Sequence, residues 1–189
     1  MSNDASSAAA DVPRVALVTG ATRGIGQAIA DALVGAGLTV VGSATTDGGA
    51  STIDERLAPQ GGAGVRLDVS DPDSIASVLE TITDRFGAPT VLVNNAGITR
   101  DNILLRMKEA EWKDVLDTNL TSVYRLSKAL LRGMTRARWG RIVNITSVVG
   151  SMGNAGQSNY AASKAGAAGF TRALAREVGA RNITVNAIA

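Results

Sequence analysis

Tyr160 and Lys164 stand four residues apart, and Ser147 lies thirteen residues before the tyrosine. The chain has no histidine and no cysteine, so this trio is its best acid/base device. A separation of i and i+4 puts two side chains on one face of a helix. A phenol titrates near pH ~10 in water, which makes it a poor catalyst at neutral pH by itself. A nearby ammonium favours the phenolate and brings that titration down. A serine hydroxyl can bond the same substrate oxygen. Together these groups could protonate a carbonyl while something else delivers a hydride. The missing residue types exclude thiolate chemistry and disulfides, and they argue against a zinc or other metal site.

A signature for the hydride donor lies upstream. Thr19-Gly20-Ala21-Thr22-Arg23-Gly24-Ile25-Gly26 follows a β-branched run, Arg14–Thr19, and precedes a helical stretch, Gln27–Gly35. Gly20 permits a tight turn, Gly24 a close approach of backbone to a pyrophosphate, and Gly26 close packing of helix on sheet. The helix N-terminus then offers free N–H groups and a positive dipole end to phosphates. The spacing is G-x-x-x-G-x-G rather than G-x-G-x-x-G, so its strand–turn–helix context carries much of the reading. NAD-selective sites place an acid near the end of the second strand. Here that stretch reads Val40-Val41-Gly42-Ser43-Ala44-Thr45-Thr46-Asp47. The nearest acid, Asp47, lies past the expected strand end, and Arg23 can reach a 2′-phosphate. This favours NADPH; the alternative is that Asp47 holds the ribose. Asp68-Val69 follows the third strand, where Asp68 either accepts from an adenine amino group or is simply a polar strand end.

The elements that must position these residues alternate. Strands are expected at Leu38–Ser43, Gly64–Leu67, Thr90–Val93, Arg141–Ile145 and Thr184–Ile188. Helices are expected at Asp47–Leu57, Asp71–Phe86, Lys108–Asn119, Leu120–Arg136 and Tyr160–Gly179. Asp71 followed by Pro72 is an apt helix start. Strict alternation with apolar strands predicts a parallel sheet covered on both faces. Ligands of such sheets bind beyond the carboxyl ends of the strands, where Thr19, Asp68, Asn94 and Ser147 all fall. The chain of 189 residues, 45% hydrophobic and 19% charged, suffices for one domain with a core of Ala, Val, Ile and Leu, since aromatics are only 3%. A net charge of +2 gives no case for nucleic acid. No stretch has the length and apolarity of a membrane span. Residues 1–13 lack the basic start and apolar run of a signal peptide and read as a mobile tail. A chain without cysteine fits a cytoplasmic setting.

Taken in order, the glycine loop, Asp68, Asn94-Asn95-Ala96-Gly97, Asn119, Ser147 and Tyr160-x-x-x-Lys164 resemble the short-chain dehydrogenase/reductase family over residues 14–189. The stretches Asn94–Asn102, Ser147–Gly153 and Gln157–Gly166 look closest to the bacterial 3-oxoacyl-[acyl-carrier-protein] reductases. Acetoacetyl-CoA reductases share much of this. The resemblance implies an α/β, Rossmann-like, doubly wound parallel sheet in a single domain, residues 14–189, a role in fatty-acid biosynthesis and, when full-length, a homotetramer. It implies Tyr160 as general acid, Lys164 as the group that activates it and holds the nicotinamide ribose, and Ser147 as the group that orients the carbonyl. Asn119 would interrupt regular helix bonding and hold a water relay. The cofactor set so implied is Gly20, Thr22, Arg23, Gly24, Ile25, Gly26, Thr45, Asp68, Val69, Asn94, Ala96 and Gly97, with Tyr160 and Lys164. Basic residues resembling Arg138 and Arg181 dock the acidic carrier protein in close relatives; the other reading is ordinary solvated arginines.

One departure is visible. The sequence ends at Ile188-Ala189, where family members continue with a Pro-Gly turn, a substrate lid, another helix and a last strand. The expectation is an uncovered sixth strand. It leaves a third reading open, a non-catalytic nucleotide-binding subunit.

Overall fold

The computed structural model describes residues 14–189; the expected tail at residues 1–13 lies outside the described residues. Six strands, β1 (Val15–Val18), β2 (Thr39–Ala44), β3 (Ala63–Arg66), β4 (Val91–Asn94), β5 (Gly140–Ile145) and β6 (Ile183–Ile188), form one sheet. Their order is β3-β2-β1-β4-β5-β6, and every pairing is parallel. The chain therefore winds outward from β1 in both directions, and the order reverses between β1 and β4. That reversal opens a crevice at the carboxyl ends of these two strands.

Strand alternation sorts the core onto two faces. Val15 and Leu17 of β1, with Leu92 and Ile142, meet Leu126, Leu130, Met134, Leu174 and Val178 on one face. Ala16 and Val18, with Val91 and Val93, meet Ala30, Ile53 and Leu57 on the other. The second face is covered by α1 (Gly24–Gly35) and α2 (Asp47–Leu57), and the first by α3 (Pro72–Phe86), α5 (Ser122–Ala137) and α7 (Ser158–Val178). Asp71 caps α3, its carboxylate accepting the Asp73 N–H at 3.0 Å. Pro72 fills the first helical position, where no N–H is needed.

Three elements differ from the sequence expectation. The helix α1 begins at Gly24 rather than Gln27, so two loop glycines belong to its first turn. The stretch from Glu109 to Ala137 is one winding run: α4 (Glu109–Leu116), a π-type turn (Asp117–Thr121) and α5. A short helix, α6 (Val149–Met152), follows Ser147, where the sequence offers no periodicity long enough to signal it. On the edge strand β6, Ile183 and Val185 pack under α7, whereas Ile188 is 56% exposed. The expected uncovered apolar surface on this strand thus narrows largely to Ile188.

Candidate active site

The glycine loop is fastened to the neighbouring strand end by the protein's own hydrogen bonds. The Thr19 hydroxyl accepts the N–H groups of Asn95 and Ala96, each at 3.0 Å. The Asn95 amide donates to the carbonyls of Thr19 and Gly20 at 2.9 and 3.0 Å. Gly20 turns with φ +67°, a region that favours glycine. A Cβ on Gly26 would lie 2.2 Å from the Gly20 carbonyl oxygen and 2.5 Å from the Asn95 amide nitrogen. Gly26 is thus required for the first turn of α1 to sit on the loop and its Asn95 brace, more than on the sheet itself. No acidic residue stands in that first turn, so its N–H groups and dipole are free to face an anion.

Two adjoining cavities open along the carboxyl edge. One of about 680 Å³ is lined by Gly20, Thr22, Arg23, Thr45, Asp68, Val69, Ala96 and Gly97, among others. The second, about 760 Å³, is lined by Ile25, Gly97, Ser147, Tyr160 and Lys164, with Ile98, Ile145 and Ile188. Gly97 and Ile98 belong to both, so the two form one elongated cleft. Its shape, glycine cradle and free helix terminus fit a dinucleotide. Of the expected cofactor residues, Gly24, Gly26 and Asn94 support this lining without facing either cavity. Asp68 holds a fixed carboxylate: the Ser70 hydroxyl and N–H donate to it at 2.6 and 2.9 Å. These bonds, and more weakly the Arg66 charge, hold its carboxyl below the usual range. Asp47 pairs with Arg66 at 3.3 Å and does not line the cleft.

Tyr160 and Lys164 lie one turn apart on α7, with the ammonium 5.6 Å from the phenol ring centroid. Lys164 is only 5% exposed, and burial pulls its titration below the ordinary lysine value. Its Nζ donates to the Ile145 carbonyl at the end of β5 at 2.7 Å. Ser147 follows that strand end, and its hydroxyl accepts the Val149 N–H at 3.2 Å, tying it to α6. Asn119 sits in the π-type turn, buried, with its amide bonded both ways to Ile98: the oxygen accepts at 2.8 Å and the nitrogen donates at 2.9 Å. The same nitrogen donates to Ser163 on α7 at 3.2 Å. Disturbed helical bonding of this kind often marks functional sites.

A model of the short chain dehydrogenase family matches residues 14–189. The chain belongs to that family. With membership come oxidoreductase chemistry and a nicotinamide cofactor. The chain is also similar to three curated proteins named 3-oxoacyl-[acyl-carrier-protein] reductase FabG. That of Pseudomonas aeruginosa is 66% identical over 178 residues, covering 93% of this chain and 72% of the relative. The Vibrio harveyi protein is 60% identical over 176 residues, with the same coverages. The Escherichia coli protein is 58% identical over 176 residues, again covering 93% and 72%.

Sequence reasoning missed the bracing residues of this short-chain dehydrogenase. Thr19 and Asn95 were visible only as motif letters. Asn159, fully buried, donates to the carbonyls of Arg100 and Glu111 at 2.9 and 3.3 Å and so anchors the start of α7. No local signal announces such bonds, since the partners are 59 and 48 residues away. Arg138 and Arg181 are brought near each other but not near Tyr160. They precede the first residues of β5 and β6, and Gly140 is in register with Ile183. Ser147 and the Ile145 carbonyl that receives Lys164 lie at the other end of these strands, about 20 Å away at ~3.3 Å per residue.

Proposed function

We propose that the chain is an NADPH-dependent reductase of 3-oxoacyl-[acyl-carrier-protein], forming the 3-hydroxyacyl product in fatty-acid biosynthesis. The observation that carries this reading is the convergence of Ser147, Tyr160 and Lys164 on the wall of one cavity continuous with a dinucleotide-shaped cleft. The names of its relatives supply the thioester and the carrier.

When bound, NADPH supplies the hydride. Gly20, Thr22 and the first turn of α1 would hold its pyrophosphate, and Asp68 with Val69 its adenine. Arg23 and Thr45 face the same cavity, while Asp47 is engaged by Arg66; a guanidinium without a competing carboxylate favours the 2′-phosphate. Ser147 donates a hydrogen bond to the β-carbonyl and holds it facing the nicotinamide. Tyr160 gives its proton to that oxygen as negative charge develops there. The Lys164 ammonium stabilises the phenolate left behind and would hold the nicotinamide ribose of the bound cofactor. Asn119, bonded to Ile98 and Ser163, holds open the route by which the proton is replaced.

The resemblance extends the proposal to a cytoplasmic homotetramer. Arg138 and Arg181 are proposed to dock the acidic carrier protein. Their distance from Tyr160 within one subunit means that they would serve the site of another.

The test is cofactor oxidation with acetoacetyl thioesters of carrier protein and of coenzyme A, on the parent and on Tyr160→Phe. Preference for the carrier thioester, with a loss of about a hundredfold or more in the variant, is the expected result. Tyr160→Phe turning over at the parent rate overturns the mechanism. Cofactor binding without turnover on any ketone would instead identify a binding subunit.

A further inference from the structure

Asn144 and Thr171 have no part in the chemistry above, yet they are 1% and 5% exposed. They lie in a series of buried side-chain bonds. The Asn94 amide nitrogen donates to the Asn144 oxygen at 2.8 Å. The Asn144 nitrogen donates to the Thr171 hydroxyl oxygen at 2.8 Å, and that hydroxyl donates to the Ala167 carbonyl at 2.7 Å. The sense of the series is forced from its end. A carbonyl only accepts, so Thr171 spends its proton on Ala167 and must accept from Asn144. Asn144 shares its face of β5 with Ile142, which belongs to the apolar cluster that also holds Leu174 and Val185. Buried polar groups are costly unless paired, and when paired they fix one arrangement of their elements; Asn144 and Thr171 are paired through both ends of the series, whereas the Asn94 amide oxygen is buried without a partner.

The arrangement fixed here is that of β5 against α7. Thr171 follows Lys164 by seven residues, two turns along one helix face. Asn144 immediately precedes Ile145, whose carbonyl receives the Lys164 Nζ. Strand and helix are therefore cross-linked twice, by Asn144–Thr171 and by Ile145–Lys164. Asn94 extends the first link to β4, the strand whose end borders the cleft.

We propose that Asn144 and Thr171 are positioning residues for the catalytic pair: their bond holds α7 at the spacing from β5 that keeps the Lys164 ammonium dry, bonded to Ile145 and beside Tyr160. This rests on the reading of Tyr160 and Lys164 as the acid device. Several groups face Lys164. Tyr160 does so from its own helix, the Ile145 carbonyl from β5, and the Asn119 amide from across Gly97. Arg172, Ser147 and Ala189 share a cavity of about 140 Å³ with it. Among the described residues no carboxylate side chain forms an ion pair with it. Its ionisation is thus governed by how well water is kept out, which makes it a reporter of the spacing.

The experiment is NMR titration of the Lys164 side chain in protein carrying carbon-13 lysine, with parallel kinetics. The proteins are the parent, Thr171→Val, Asn144→Val and Thr171→Ser. Thr171→Val removes only the hydroxyl and keeps the branched shape; Thr171→Ala removes the same group if the valine protein does not fold. In the valine variants the Lys164 midpoint should rise toward the ordinary lysine value by about half a unit or more. The turnover number should fall about tenfold with little change in KM. Thr171→Ser should return both to parental values. A folded valine variant whose Lys164 midpoint has not moved overturns the proposal, as does a serine variant shifted as far as the valine one. The titration requires no substrate. If Lys164 shifts as expected but no ketone is reduced by any of the proteins, it is the reaction that has been misread and not the positioning.

Discussion

Gly97 faces Lys164 where the two cavities join, with room between them for little more than one added carbon. A Cβ on Gly97 would lie 3.6 Å from the Lys164 Nζ and 3.2 Å from the Asn119 amide oxygen. The loop after β4, the π-type turn and α7 therefore meet at a point where a methyl group fits only if the Asn119 amide gives by a few tenths of an ångström. Gly97→Ala should displace the Asn119 amide, whose oxygen already accepts the Ile98 N–H. We expect the turnover number to drop about tenfold, equivalent to ~1.4 kcal/mol of barrier. Binding of 2′,5′-ADP, which needs only the adenine half, should change far less. A variant with parental turnover would show that the three elements have slack here.

Lys164 is held at a cost to the fold. Burial lowers its titration below the value of 10.5, so the unfolded chain binds this proton more readily than the native one. Stability must then rise with pH between the lowered native value and the unfolded value, and the penalty is fully present below that window. Lys164→Met keeps the length of the side chain and removes the charge. It should abolish turnover yet raise the melting temperature at neutral pH by about 2–4 °C, if relief is ~1 kcal/mol. The gain should shrink as the pH climbs through the window. A melting temperature below the parent's would show that the bond to Ile145 outweighs desolvation.

Much of this could be read in the sequence because the relevant physics is local. Strand positions followed from β-branched runs, and α2 runs from Asp47 to Leu57 as expected despite Gly48 and Gly49. The Thr46 hydroxyl explains this, since it accepts the Gly49 N–H at 3.1 Å and starts the helix. What stayed hidden depends on partners distant in sequence. Gly26 reads as a loop glycine until the Gly20 carbonyl and Asn95 are seen against it. Asn144 reads as one polar letter in an apolar strand; its partners are 50 residues before and 27 after it. The expected break between Lys108–Asn119 and Leu120–Arg136 falls inside the π-type turn at Asp117–Thr121, but the pattern gives no sign that the chain winds on through it. Asn119 was reached through resemblance, not periodicity.

Selectivity between the two nicotinamide dinucleotides tests the cleft at its far end. Arg23 is exposed at the start of α1 and lines the cavity that Thr45 and Thr46 also line. Arg23→Ser should raise the KM for NADPH about tenfold, the scale of one charge-assisted contact, and leave the KM for NADH within about twofold. An equal effect on both cofactors would assign Arg23 to the pyrophosphate rather than to the 2′-phosphate.

The wall proposed for the adenine has a support that lies outside the cleft. Arg125 on α5 donates to the Ser70 carbonyl at 2.6 Å, and Ser70 in turn donates twice to the Asp68 carboxylate. The guanidinium thus fixes the residue that fixes the acid. Asp68 is exposed, so without this brace its carboxylate should sample many positions and lose its preorganisation toward the adenine amino group. Arg125→Met keeps a long apolar stem in the cavity that Arg125 lines with Pro72, Ile75 and Ala76 of α3 and removes the donor. The dissociation constants of NADPH and 2′,5′-ADP should then rise together by about threefold to tenfold, the worth of a hydrogen bond from a charged group. Reduced nicotinamide mononucleotide, which lacks the adenine half, should bind as before. If all three ligands weakened equally, Arg125 would be supporting the fold at large, and the chain from α5 through Ser70 to Asp68 would have no separate role in binding.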